Sequence, residues 1–187
     1  IDGVEGMADQ DTRLAQYAWE RGRGLVLVIN KWDKVPQEQK NRARYVTELH
    51  HYFPVTKPLP IVFTSALTGS SVNKILPTVQ QVAQAHALHI PTTALNRHLQ
   101  EWVQRNPPPS YKGRQPRLFY ATQVGTKPPL IAIFASVPEG IQASYLRYLE
   151  NQFRETFDLA GTPLKLSLRA RREEREPHTK RNSTKRS

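Results

Sequence analysis

The 187-residue sequence contains no cysteine, which excludes a disulfide scaffold or a thiolate metal site and fits a reducing cytosol. It has no apolar run near the roughly 20 residues that a membrane-spanning helix needs; the longest aliphatic stretch is Leu25-Val26-Leu27-Val28-Ile29. It does not open with a basic and then apolar signal segment. No G-x-x-x-x-G-K-[ST] occurs, so no backbone cradle for β- and γ-phosphates can be assigned. The histidines find no metal partner: His50 and His51 point to different helical faces, and His86 and His89 share a face without an acidic or Cys neighbour.

Acidic residues are scarce, with 16 Asp/Glu against 27 Lys/Arg and a net charge of +11. The excess is not spread evenly. Residues 1–89 carry 10 basic against 8 acidic residues, 90–168 carry 9 against 5, and 169–187 carry 8 against 3. Charge rising toward the C-terminus points to a far end that touches polyanions.

The first half alternates helical and strand patterns. Leu14, Ala15, Ala18 and Trp19 sit at helical spacing after Asp9 and Asp11, and Gly22 and Gly24 end that helix. Leu25–Ile29 reads as a strand buried on both faces. A helix over 37–53, a strand over 61–64 and a helix over 71–88 follow, the last with Val72, Ile75, Leu76, Val79, Val82 and Ala83 on one face. This order implies right-handed crossovers and a parallel sheet, an α/β arrangement.

After Ile90-Pro91 the grammar changes. Thr92 or Thr93 can cap a helix carrying Leu95, Leu99, Trp102 and Val103, and Pro107-Pro108-Pro109-Ser110 stops it. Strands are expected over 118–124 and 130–137, a helix over 141–157, and a strand through Leu164, Leu166 and Leu168. That is α-β-β-α-β around a three-stranded sheet, an α+β module. Residues 173–187 lack apolar periodicity and are expected to be disordered.

Asn30-Lys31-Trp32-Asp33 follows the strand 25–29 directly, where open α/β sheets place ligand loops. N-K-x-D is the guanine-specificity motif of GTPases. The Asp33 carboxylate offers two acceptors to the adjacent N1–H and 2-amine of guanine; adenine would leave them unpaired. Asn30 can accept or donate near N7 and tie neighbouring loops together, and the Lys31 stem can lie across the base. Ser65-Ala66 follows the next strand, and there the Ala66 N–H is expected to meet guanine O6. Trp32 is expected to serve packing. No Asp-x-x-Gly precedes the motif at a suitable distance, and Ile1-Asp2 reads as the end of a strand, so the phosphate-binding part of a G domain is expected to lie outside this sequence. No catalytic residue and no metal ligand can be assigned within it.

In combination these residues resemble the EngA (Der) family of bacterial double GTPases. The resemblance rests on Asp9-Gln10-Asp11, Tyr17–Gly22, Asn30–Asp33, Ser65–Gly69, Ile90–Thr93, Asn96, Pro107–Pro109 and Tyr120-Ala121-Thr122-Gln123, and covers essentially the whole chain. It implies a partial P-loop GTPase sheet over 1–89, the C-terminal half of a second G domain, then a KH-like domain over 90–172 and a basic tail over 173–187. It implies GTP/GDP binding with slow hydrolysis, Mg²⁺ in the full-length parent only, and maturation of the large ribosomal subunit in the cytoplasm. The implied partners are guanine nucleotide, rRNA and the other G domain of the parent chain, with no membrane. A typical KH module clamps RNA with G-x-x-G, which does not occur within residues 90–172. Candidate RNA contacts are therefore the cations Lys112, Arg114, Arg117, Lys127, Arg169, Arg171 and Arg172. The alternative reading is a nucleotide-independent RNA or ribosome-binding module carrying a vestigial G-domain half.

Overall fold

The computed structural model describes residues 1–171. Arg172 and the tail expected to be disordered lie outside the described residues.

The first part runs α1 (Asp9–Glu20), β1 (Leu27–Ile29), α2 (Arg42–Tyr52), β2 (Ile61–Phe63) and α3 (Ile75–His86). β1 and β2 pair in parallel, with Val28 opposite Val62, as strands joined by a crossover through α2 do. Ile1–Gly3 lies along the other side of β1: Asn30 donates to the Ile1 carbonyl at 2.9 Å and Gly3 to the Asn30 carbonyl at 2.7 Å. The helix expected over 37–53 is interrupted. A 3₁₀ turn at Gln37–Gln39 precedes α2, which begins afresh where the Asn41 side chain accepts from the Arg44 N–H at 3.0 Å.

Burial in this part corrects two expectations. Leu27 and Ile29 are buried, but Val26 and Val28 on the opposite face are half-buried, so the strand is not enclosed on both faces. The apolar stripes of α1 and α3 are likewise only partly covered: Leu14, Leu76 and Val79 are exposed, and in α3 only Val82 and Ala85 are buried. The cause is width. Two strands and a short flanking segment are too narrow a floor for helices whose stripes span several turns.

The second part runs α4 (Thr92–Arg105), β3 (Leu118–Gly125), β4 (Leu130–Ala135), α5 (Ala143–Thr156) and β5 (Lys165–Ala170). β4 is central, antiparallel to β3 and parallel to β5. Ile131, Ile133 and Ala135 face a core built with Leu95, Leu99 and Trp102 of α4 and Tyr145, Leu149 and Phe153 of α5, and Ala132 on the opposite face is buried as well. Pro91, not a threonine, occupies the cap position of α4. Asn96 then pairs with the free edge of β3, donating to the Ala121 carbonyl at 3.1 Å and accepting its N–H at 2.8 Å. An edge strand otherwise leaves such groups open.

The two parts are stitched by polar contacts. Gln123 accepts from the Ile90 N–H at 2.7 Å and donates to the Leu88 carbonyl at 2.8 Å, fixing the connecting segment. In the loop after α5, Gly161 accepts from the Leu25 N–H and donates to the Pro58 carbonyl, both at 2.7 Å. His86 Nδ1 lies 2.7 Å from the Thr162 hydroxyl. Arg154 holds the same loop through the Leu159 and Thr162 carbonyls while its guanidinium covers the Trp19 ring at 5.2 Å.

Candidate guanine-binding site

The ends of β1 and β2 carry the two loops singled out from the sequence. Parallel pairing sets them side by side. Thr64 donates its N–H to the Ile29 carbonyl at 2.8 Å, and Trp32 donates to the Thr64 carbonyl at 3.0 Å. Asn30 Oδ1 accepts the Ala66 N–H at 2.9 Å and lies 3.4 Å from the Thr64 hydroxyl. Asn30 is thus the cross-link between the loops. The Ala66 N–H, expected to be free for a base oxygen, is instead engaged by Asn30. The Asn30 amide NH₂ has no partner among the hydrogen bonds of the described residues.

Asp33 opens a 3₁₀ turn, Trp32–Lys34, and is half-buried. Its carboxyl is held below the ordinary carboxylate range, first by the Ser65 hydroxyl and further by Lys34 and Lys40. A group so placed remains an ionised, two-acceptor carboxylate at neutral pH. Trp32 is buried and packs edge-on against Phe63 at 4.4 Å and Tyr45 at 5.4 Å, so it anchors the turn from beneath. Asp33 and Ser65, with Thr68 and Ser70, form one side of an open cleft whose other wall is Lys40–Ala43.

Lys31 adopts a left-handed backbone, φ 58°, and its Nζ lies 2.6 Å from the Asp2 carboxylate. Asp2 also accepts the Val4 N–H at 2.9 Å. Sequence reasoning missed Asp2, because the pair joins residues far apart along the chain. The signal available was an acidic residue ending a strand that precedes the motif. The Lys31 hydrogen bond, seconded by the Val4 N–H, lowers the Asp2 pKa to about 2 from the model-peptide value of 3.8. A carboxyl whose folded pKa is depressed contributes stability above its unfolded pKa and loses it as pH falls toward the folded one. The Asp2–Lys31 contribution should therefore be nearly complete above about pH 4, be largely lost as pH falls to about 2, and vanish below it. Acid titration of the wild-type chain and an Asp2→Asn variant checks this: their difference in stability at neutral pH should shrink through that window. A difference as large at pH 2 as at neutral pH would remove the ion pair as its cause.

The candidate RNA contacts separate into two groups. Arg117 precedes β3 and donates to the Ser136 hydroxyl just past β4, and Arg171 just past β5 donates to the Ala135 carbonyl. Strand register therefore gathers Arg117, Arg169 and Arg171 at one end of the sheet, beside the Tyr111–Arg114 turn that bears Lys112. Lys127 is at the other end, donating its N–H to the His86 carbonyl at 3.0 Å. Eight residues of strand separate it from Arg117, roughly 25 Å. Arg172 lies outside the described residues. Among the described residues no group of three or more His, Cys, Asp or Glu could hold a metal ion, and no helix is long and apolar enough to cross a membrane.

Comparison with known proteins agrees with both parts. Residues 1–85 match the family described as the elongation factor Tu GTP-binding domain, and residues 89–169 match the KH-domain-like C-terminal domain of EngA bacterial GTPase enzymes. The chain is 44% identical over 174 residues to GTPase Der of Pelotomaculum thermopropionicum, covering 93% of the chain and 40% of that protein. It is 42% identical over 176 residues to GTPase Der of Desulfitobacterium hafniense, covering 94% and 40%. With GTPase Der of Moorella thermoacetica the identity is 40% over 173 residues, covering 92% and 40%. The chain thus spans about 40% of the length of these relatives. With part of a G domain followed by the KH-like domain of that architecture, it belongs to the EngA (Der) family of bacterial GTPases.

Proposed function

We propose that this chain supplies the base-reading half of a G domain and the KH-like domain of a GTPase that acts in assembly of the large ribosomal subunit, in the bacterial cytoplasm. The ligand is GTP or GDP, and the further partners are rRNA and another G domain of the longer protein. The observation that carries the reading is the junction of two loops at the sheet edge. Asp33 and Ser65 line one cleft, and Asn30 links its own loop to Ala66. In this reading Asp33 accepts from guanine N1–H and the 2-amine. Asn30, whose oxygen is committed to Ala66, donates through its NH₂ to N7. The Ala66 N–H is shared with or passed to O6 when the base arrives, and Ser65 holds the Asp33 carboxylate in place. The Lys31 stem covers the base while Asp2 anchors its ammonium.

Mg²⁺ and the phosphates need residues that are not among these 187. The sequence has no G-x-x-x-x-G-K-[ST]. The chain alone should accordingly show no GTP turnover and weak GTP binding, since base contacts remain but the triphosphate has no cradle. Turnover that survives extensive repurification of the 187-residue chain would overturn this. The function itself is tested by nucleotide titration of a protein in which a phosphate-binding half is joined to these residues. Tight GDP and GTP binding, with hydrolysis and rejection of ATP, is the expected result. RNA binding without any nucleotide affinity would favour a nucleotide-independent module instead.

A further inference from the structure

The helices α4 and α5 cover only one face of the second sheet. Since Ala121, Ile131 and Ile133 point into that core, their strand neighbours Tyr120 and Phe134 stand on the opposite face. Tyr120 and Phe134 are directly paired across β3 and β4, and their rings stack at 4.4 Å and 16°. Arg169 continues the same row on β5, opposite Phe134, and Lys165 lies on the same face two pairs along. Tyr120 and Val124 remain 39% and 42% exposed. None of the three strands contains an Asp or Glu. The contacts with the first part are made at Gln123, Lys127, Gly161–Thr162 and Arg154 of α5, which leaves the Tyr120–Phe134–Arg169 row at the far end of the face. The Arg171 guanidinium, over the Phe119 ring at 5.1 Å, marks the same end. From there the chain continues into its most basic stretch.

A face that carries two aromatic rings, on strands that bear Lys and Arg but no Asp or Glu, suits a ligand that is flat and apolar within a polyanionic backbone. We propose that the open face of β3-β4-β5 is a stacking platform for single-stranded RNA, with bases on the Tyr120–Phe134 pair and phosphates on Lys165, Arg169 and Arg171. The choice of RNA rests on the function proposed above; the stacking site rests on the geometry. Aromatic rings on a sheet give sequence-tolerant affinity, because every base has a π-face, and the rim adds salt-dependent attraction. The platform needs no G-x-x-G loop, and it needs bases that are unpaired.

That requirement supplies the test. Anisotropy of a short fluorescein-labelled oligouridylate, alone and annealed to oligoadenylate, is measured against the 187-residue chain. Wild type should bind the single strand more tightly than the duplex. Tyr120→Ala and Phe134→Ala should each weaken single-strand binding roughly tenfold and leave duplex binding unchanged, while Tyr120→Phe keeps the stacking surface and the affinity. Arg169→Gln, at an exposed position outside the core, should weaken both forms and flatten the salt dependence. Equal affinities of the alanine variants and wild type for the single strand would overturn the platform and leave the face to a protein partner. Equal losses on both forms would overturn it too, by removing the dependence on unpaired bases. Absence of binding to either RNA by wild type would instead count against the RNA role in the function proposed above.

Discussion

Replacing Asp33 by asparagine, in a protein that joins these residues to a phosphate-binding half, should weaken GTP binding by roughly a thousandfold and turn preference toward xanthosine nucleotides. The carboxylate presents two acceptors, and the amide presents one acceptor and one donor. The amide therefore sets a donor against the 2-amine of guanine and leaves one base donor unpaired, at about 1–3 kcal/mol for each buried mismatch plus the lost charge assistance. Xanthine carries a carbonyl where guanine carries the amine, and so accepts from the new NH₂. Because Trp32 fixes the turn from below and Ser65 flanks the carboxylate, the near-isosteric change should not move the backbone. Competition of GDP and XDP for a fluorescent nucleotide gives both affinities. GDP affinity unchanged in Asp33→Asn would show that this loop does not read the base.

A comparable loss, in stability rather than affinity, is expected from Gly161→Val. Gly161 has φ +70°, and a Cβ there would lie 2.5 Å from Val82 Cγ2, 2.7 Å from the Leu25 carbonyl oxygen and 2.9 Å from Pro60 Cδ. The left-handed backbone alone costs an L-residue about 1–2 kcal/mol. The carbonyl lies two residues before β1, on a residue whose own N–H is bound to Gly161, so the clash adds to the strain instead of relaxing. About 3–5 kcal/mol of destabilisation follows, which places the substitution among the severe ones. At about 2–4 °C per kcal/mol for a chain of this size, Tm should fall by roughly 10 °C. The loss should concentrate at the junction, so calorimetry should resolve two transitions where the second part, with its own core, unfolds later. A melting curve within about 2 °C of wild type would show that the loop relocates without cost.

The order of elements was legible because periodicity is a local signal. The α-β-β-α-β run after Ile90 appears where apolar spacing places it, since α4, α5 and β4 each bury a stripe that one segment displays by itself. Burial in the first part was not legible. Leu76 and Val79 lie on the apolar side of α3 yet are exposed, because their cover depends on how many strands lie beneath. The site divides in the same way. The loops of Asn30–Asp33 and Ser65–Ala66 were visible as short motifs after strands. Asp2 on Lys31 and Asn30 on the Ala66 N–H were not, since each contact joins residues that only the sheet brings together. Gln123 and Asn96 were visible only as letters in a resemblance; their work is to satisfy backbone groups of other segments.

The segment between the junction and the Asn30–Asp33 loop is held at both ends by different parts of the molecule. Its entry is fixed by Gly161 accepting the Leu25 N–H, and its exit by Asn30, which ties Ile1, Gly3 and Ala66 together. Only four residues lie between Leu25 and Asn30, and the span is roughly 17 Å of extended chain. An extended segment that short has no slack, so it acts as a strut: the position of the KH-like domain and the position of the NKxD loop are one mechanical coordinate.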